Sequence, residues 1–481
     1  MVTSAASVRR PAARRLALCL TAVALTAAAF AVPGVDASTV ERGDGAVPRA
    51  DCGPGSRPET GMQGRVPQAD HDSGRAERGY ECNAELVSHV AGTGGFKTLR
   101  YTDDAGHTCA FYDSTTLFPT DAVMQARTGF GVIVLDMTDP RHPVRTTTLT
   151  TVAMLSPHES LLVHPGRGLL GAVMGNAFAS VGVLDLYDVS KDCRHPELLS
   201  TTRSALLGHE SGWSPDGRTF YATGSGGQSL SAIDVSDPAS PRPLFETYGV
   251  NYHGLRLSPD GHRLYAANIG DDLSGGLPGD GLRILDVREV QERVPDPSVR
   301  VLGNLTWTGG SIPQVAQPFT RDGRHYLFEV DEFARGRTAP EDWSVGAARI
   351  IDVDDPRHPV VVSDVRLEVH EPDNRRTAYG DPGASSPLGG YTAHYCSLPY
   401  PRNPRLAACS MIASGLRVFD ISDLRHPREV AYFNRPEAGA GASAMAEPAW
   451  DVARRSVWFT DTGRGFYAVR LTNGVGALLR R

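Results

Sequence analysis

A short motif recurs along this chain, and a recurring motif constrains a fold more than any single segment can. It reads "VIVLDMTDPRHPV", "DLYDVSKDCRHPE", "LSAIDVSDPASPRP", "LRILDVREVQERVPDP", "ARIIDVDDPRHPV" and "LRVFDISDLRHPRE". The shared aspartates are Asp136, Asp188, Asp234, Asp286, Asp352 and Asp420, spaced 52, 46, 52, 66 and 68 residues apart. A degenerate seventh copy, "GFYAVRLTN", follows 50 residues later, with Arg470 in the aspartate position. Each copy has a short strand, a turn such as "SPDG" or "TRDG", and a second strand. A β-branched strand ending in Asp-Val or Asp-Ile follows, then a Pro-rich turn and a fourth strand. Four strands per ~50 residues, with evenly spaced turns, predict propeller blades. No long amphipathic helical pattern competes with them. The expected fold class is all-β, a seven-bladed β-propeller with four-stranded blades over residues 81–475. The last copy lacks a fourth strand, while "AELVSHV" (84–90) stands before the first blade. That segment is expected to close the ring as the outer strand of blade seven, covering an otherwise open edge.

The "IDVSDP" and "LDMTDPRHP" segments resemble LVIVD repeats, which occur in exported or surface propellers of bacteria and archaea. The resemblance covers about 90–470 and implies the propeller fold. It implies no activity, since that family as a whole has no agreed function. "LRILDVREVQERVPDP" departs from the pattern in its turn. Only Lys97 and Lys191 are lysines, an arginine bias typical of a GC-rich genome of the actinobacterial type.

The N-terminus reads as an export signal. Arg9, Arg10, Arg14 and Arg15 precede an apolar stretch from Leu16 to Val32, and Val35-Asp36-Ala37 offers a small-residue cleavage site. Residues 1–37 are therefore expected to be removed, by the general secretory route rather than the twin-arginine one. Removal takes four arginines and one aspartate from 48 basic and 55 acidic residues, leaving 44 against 54. No basic stripe suggests nucleic acid, and no stable membrane anchor is expected. The chain should be secreted and extracellular. Residues 38–80 are polar and Pro/Gly-rich, and are expected to be irregular.

Six cysteines remain after cleavage, an even number that suggests disulfides in an exported chain. Cys396 and Cys409 flank a Pro/Asn turn and are expected to face each other across a hairpin. For the other four, three pairings are open. The preferred one joins Cys82 to Cys109 and Cys52 to Cys193.

Counting eight residues back from the turn glycine, or its equivalent, finds a set. It gives His158, His209, His253 and His394 in blades two, three, four and six, and Glu447 in blade seven. Blade five gives Val315 with Gln314 and Gln317 beside it, and blade one gives Thr98 next to Lys97. The position opens the innermost strand, so these side chains should ring one mouth of the central channel. Imidazole is a common ligand of zinc, copper and iron. The four histidines are thus candidate metal ligands, with Glu447 as a fifth ligand or a catalytic base. Glu159 and Glu210 follow their histidines and could orient them. Loops between second and third strands should reach the same mouth, with Asn176, Asp271, Asp272, Glu329, Asp331, Glu332 and Asp461. The insertion 367–390 adds His370 and Glu371, with a length and polarity that suit a lid. His142, His195, His358 and His426 recur instead in the "RHP" turns, where a structural role is expected.

Three readings of the ring remain open: a metal site, a metal-free polar site and a structural feature of the repeat. The arrangement is similar to propeller enzymes that centre a metal on histidines from several blades, among them carotenoid-cleaving oxygenases and selenium-binding-protein thiol oxidases. "HESLLVH" is H-E-x4-H and lies on a strand, so the helical zinc-protease geometry is absent. No G-x-S-x-G elbow or phosphate loop is present. The expected function is a metal-centred site for a small molecule, with or without catalysis. The alternatives are an extracellular scaffold binding a protein or glycan, and a metal-free lyase or lactonase-like propeller.

Overall fold

The repeat aspartates explain why the chain turns where it does. In each of the six copies the carboxylate accepts the backbone N–H two residues on. The acceptors are Asp136, Asp188, Asp234, Asp286, Asp352 and Asp420, at 2.7–3.0 Å. This side-chain-to-backbone bond closes the turn that sends the third strand into the fourth. Three of the "RHP" histidines then clamp the same turns. His142, His358 and His426 each place Nδ1 2.9 Å from Asp139, Asp355 and Asp423 respectively, on exposed surface.

The computed structural model describes residues 39–40, 45–114, 130–175, 180–270, 281–307, 311–333, 345–385, 390–436 and 444–480. The expected leader (1–37), Asn176, Asp271 and Asp272 lie outside them. Seven antiparallel four-stranded blades follow one another around a ring. Blade one runs through Thr98–Thr102, Thr108–Asp113, Val132–Asp136 and Val144–Leu149. Blade five runs through Ile312–Arg321, Arg324–Glu332, Ala348–Asp352 and Val360–Val365. In blade seven, Ala84–Val90 pairs antiparallel with Gly465–Leu471, so the first and last parts of the ring share one sheet. No helix among the described residues is long and apolar enough to cross a membrane.

The core lies between blades. Val173, Leu184 and Leu186 of blade two pack on Phe220, Ala222 and Ile233 of blade three, and all are fully buried. Second strands are sandwiched between neighbouring sheets, so Leu169–Val173 and Thr219–Gly224 are buried on both faces. They accordingly read as continuous runs of small and apolar residues rather than alternating ones. Outer strands such as Arg242–Tyr248 face water.

Residues 45–82 hold only short elements but are docked. Tyr80–Cys82 adds a fifth strand to blade six by pairing with Arg428–Asn434. Buried Arg417 of blade six donates to both Glu59 and Glu429. The described stretch of the insertion, 367–385, is clasped to this segment: Arg49 meets Glu368, and Arg65 meets Asp381 at 2.6 Å.

The cysteines correct the expected pairing. Cys396 and Cys409 are bridged, opposite one another on adjacent strands. The others join Cys52 to Cys82 and Cys109 to Cys193, in place of Cys82–Cys109 and Cys52–Cys193. The cause is the docked segment, which carries both Cys52 and Cys82 to the edge of blade six. Cys109, in blade one, faces the turn of blade two.

Candidate functional site

The four ring histidines come together, and two local distortions bring glutamate and glutamine to them. In an extended strand, successive side chains point to opposite sides. His158 breaks that rule with a left-handed φ of +50°, so both it and Glu159 reach the cluster. In blade three no such kink exists. His209 reaches the cluster, but Glu210 turns away from it. In blade five the register slips between Pro313 and Val315. This bulge brings Gln314, not Val315, into the site. Gly254, beside His253, makes room: a Cβ there would stand 2.2 Å from the Gln314 carbonyl oxygen.

The contacts run around a closed circuit. His209 Nε2 and His253 Nε2 are 3.2 Å apart, and Glu159 Oε2 lies 3.3 and 3.5 Å from them. His253 Nε2 is also 3.2 Å from Glu332 Oε1. Glu332 Oε2 stands 3.1 Å from His394 Nε2, which is 3.3 Å from Glu159 Oε1. Gln314 donates to Glu159 Oε1 at 2.9 Å. Two sets are compact enough to hold an ion, His158–Glu159–His209 and Glu159–Glu332–His394. Every member is at most 5% exposed. Phe96 packs edge-on to His158 at 4.6 Å, and Phe333 lies 5.7 Å from His394.

Electrostatics separates the imidazoles. Burial pushes His158 down to about 3, which favours its neutral form. Burial also opposes charge on His394, but its bonds to Glu159 and Glu332 outweigh this and raise it to about 9. His394 Nδ1 donates to the Met445 carbonyl at 2.6 Å, which leaves Nε2 facing the carboxylates. Glu159 lies well below the ordinary carboxylate range: burial opposes its charge, and the surrounding histidines overcome that.

Glu447 is not with the histidines. Its Oε2 accepts from Lys97 Nζ and from Arg256 Nη2, both at 2.9 Å, and its Oε1 accepts from Gln317 at 2.7 Å. With both oxygens bonded to cations or an amide, it is poorly placed as a ligand or a base. Glu210 belongs to the same network, 3.1 Å from Lys97 and 3.3 Å from Arg256. Tyr395 separates this second cluster from the first, with its ring 4.8 Å from that of His394 and 3.8 Å from Lys97 Nζ.

Four other expected residues lie elsewhere. Glu329 and Asp331 bind Arg349 inside blade five, where Asp331 also accepts from Trp307 at 3.1 Å. His370 is buried in the insertion and accepts the Leu367 N–H at 3.2 Å. Asp461 caps its own turn, accepting from Gly463 and Arg464. Glu332, named in sequence only among the loop acids, is the one that enters the site. It follows Asp331 by one residue, so strand alternation aims it to the opposite side.

No family model matches this chain, and no curated protein matches it. Among solved structures, the chain is similar to the periplasmic gluconolactonase of Pseudomonas aeruginosa at 17% identity, over 69% of this chain and 84% of that one, with a TM-score of 0.45. It is similar to the hydrazine synthase of Kuenenia stuttgartiensis at 11% identity, over 80% and 97%, with a TM-score of 0.48. A functionally unknown protein of Desulfotomaculum acetoxidans aligns at 13% identity over 72% and 88%, with a TM-score of 0.44. Likeness at this level concerns the chain path, and nothing about chemistry is drawn from it.

Proposed function

We propose that this protein is an exported propeller of the LVIVD kind whose channel cluster holds a first-row divalent transition metal (zinc, copper or iron) and binds a small ligand there. One triangle carries the reading. His209 Nε2, His253 Nε2 and Glu159 Oε2 are separated by 3.2, 3.3 and 3.5 Å. Donors bound at ~2.0–2.2 Å to one ion stand about 2.8–3.6 Å apart on an octahedral or tetrahedral face, so the triangle has the edges of a coordination face. Mixed imidazole and carboxylate donors suit these metals. They come from separate blades, which makes the face rigid.

Such an ion supplies Lewis acidity and a lowered pKa for bound water. The chain's own residues prepare the place. Gln314 holds Glu159, Met445 fixes the tautomer of His394, and Phe96 and Phe333 wall the cluster with apolar surface. Export is supported by the leader-like N-terminus and by three disulfides.

Elemental analysis of the protein exported by a related host tests the reading, beside a variant with His209→Ala and His253→Ala. Near-stoichiometric metal in the parent, lost in a variant that still melts cooperatively, is expected. Absence of metal from the parent after exposure to zinc, copper and iron would overturn it.

A further inference from the structure

The two channel glutamates face imidazoles in place of a lysine or arginine. Among the described residues, the buried glutamates Glu210, Glu447, Glu329 and Glu429 each meet a lysine or arginine. Among the described residues, Glu159 and Glu332 meet imidazoles and the Gln314 amide but no lysine or arginine. Burying carboxylates is expensive unless cations face them.

How these two carboxylates divide their oxygens is more specific. Glu159 turns Oε2 towards His209 and His253, and Oε1 towards His394. Glu332 turns Oε1 towards His253 and Oε2 towards His394. Each carboxylate therefore spans the same two groups of imidazoles. A glutamate serving a single ion has no need to present one oxygen to each side, whereas one bridging two ions must.

We infer that the cluster is a dinuclear centre, with two divalent cations bridged by both Glu159 and Glu332. This rests on the metal reading above and goes beyond it. The first position is bounded by His158, His209 and His253, with Glu159 Oε2 and Glu332 Oε1. The second is bounded by His394 Nε2, Glu159 Oε1 and Glu332 Oε2. Gln314 supplies an independent observation there. It is fully buried, its Oε1 has no hydrogen-bond partner among the described residues, and its amide end lies 2.9 Å from Glu159 Oε1 and 3.4 Å from His394 Nε2. Rotating the amide by half a turn presents that oxygen to the second position. Paired ions stand about 3.5–4 Å apart in two-metal sites, a separation that carboxylates bridge. Two divalent cations facing two carboxylates retain net positive charge, so the ligand class that fits is an oxyanion or a carboxylate-bearing small molecule.

Manganese(II) titration of the metal-stripped full chain, followed by electron paramagnetic resonance, tests this beside Glu332→Gln. The expected result is two equivalents bound in the parent with an exchange-coupled spectrum, and one uncoupled equivalent in the variant. One equivalent in the parent at saturation would overturn the second position and leave the single-metal reading standing. No binding in the parent would overturn the dinuclear centre, whereas the single-metal reading falls only if zinc, copper and iron are all absent after exposure. Two equivalents retained in Glu332→Gln, or an uncoupled spectrum in a two-equivalent parent, would place the second ion elsewhere. Asp103, His107 and Asp192 are the other described group that could take it. If Glu332→Gln fails to fold, the parent's coupled or uncoupled spectrum still decides the matter.

Discussion

His209 Nε2 and His253 Nε2, 44 residues apart in sequence and one blade apart in the ring, lie 3.2 Å from each other inside the channel. Two equivalent repeat positions thus converge on one point, which a propeller does by geometry: each inner strand starts at the same mouth.

The second cluster should be separable from the first. Glu447→Gln removes a charge from the Lys97–Arg256 network but touches no channel histidine. Metal content should match the parent within error. Loss of metal would mean that the two clusters act as one unit.

Lys97 is fully buried between Glu210 and Glu447. Lys97→Met leaves both carboxylates without that cation, and breaking such a buried pair costs ~3–5 kcal/mol. Denaturant unfolding should show it. Adding Glu447→Gln to Lys97→Met should recover part of the loss, because fewer charges are then stranded.

Asp113 sets a pH dependence. It accepts the Phe96 and Lys97 N–H groups at 3.0 and 3.2 Å, yet burial raises it from 3.8 to about 8. Between those values the folded chain binds more protons than the unfolded one, so this residue makes stability fall as pH rises through that window. Asp113→Asn should remove that component. The melting-temperature difference between variant and parent should grow from pH 4 to pH 8 and then level off. A constant difference would contradict the assignment.

Non-reducing peptide mapping should recover Cys52–Cys82, Cys109–Cys193 and Cys396–Cys409 as the bridges. Cys396→Ala with Cys409→Ala opens a short loop, and closing one of that size contributes about 2–3 kcal/mol. Since Cys396 lies two residues after His394, metal affinity should fall along with stability.

The blades were legible because the Asp-containing turn is local: each aspartate bonds a backbone group two residues away, so sequence spacing alone reveals it. Four ring histidines were legible for the same reason, as a fixed offset from a turn glycine. What the offset cannot register is a change of strand phase. The bulge at Pro313–Val315 selects Gln314 over Val315, and the left-handed His158 admits Glu159. Glu447 kept the offset but found Lys97 and Arg256 closer than any imidazole. Glu329, Asp331 and Glu332 looked alike as a run of acids, and only strand alternation separates Glu332 from the two that bind Arg349. The pairing of Cys52 and Cys82 depends on how residues 45–82 dock on blade six, which no repeat encodes.

The central claim is that the channel histidines and Glu159 bind metal directly. Crystals of the metal-loaded protein, measured on both sides of that metal's absorption edge, test it most directly. The account predicts an anomalous difference peak in the channel within ~2.0–2.2 Å of His209 Nε2, His253 Nε2 and Glu159. A well-ordered channel with no such peak, and His394 held to Glu159 and Glu332 as a plain ion pair, would contradict it.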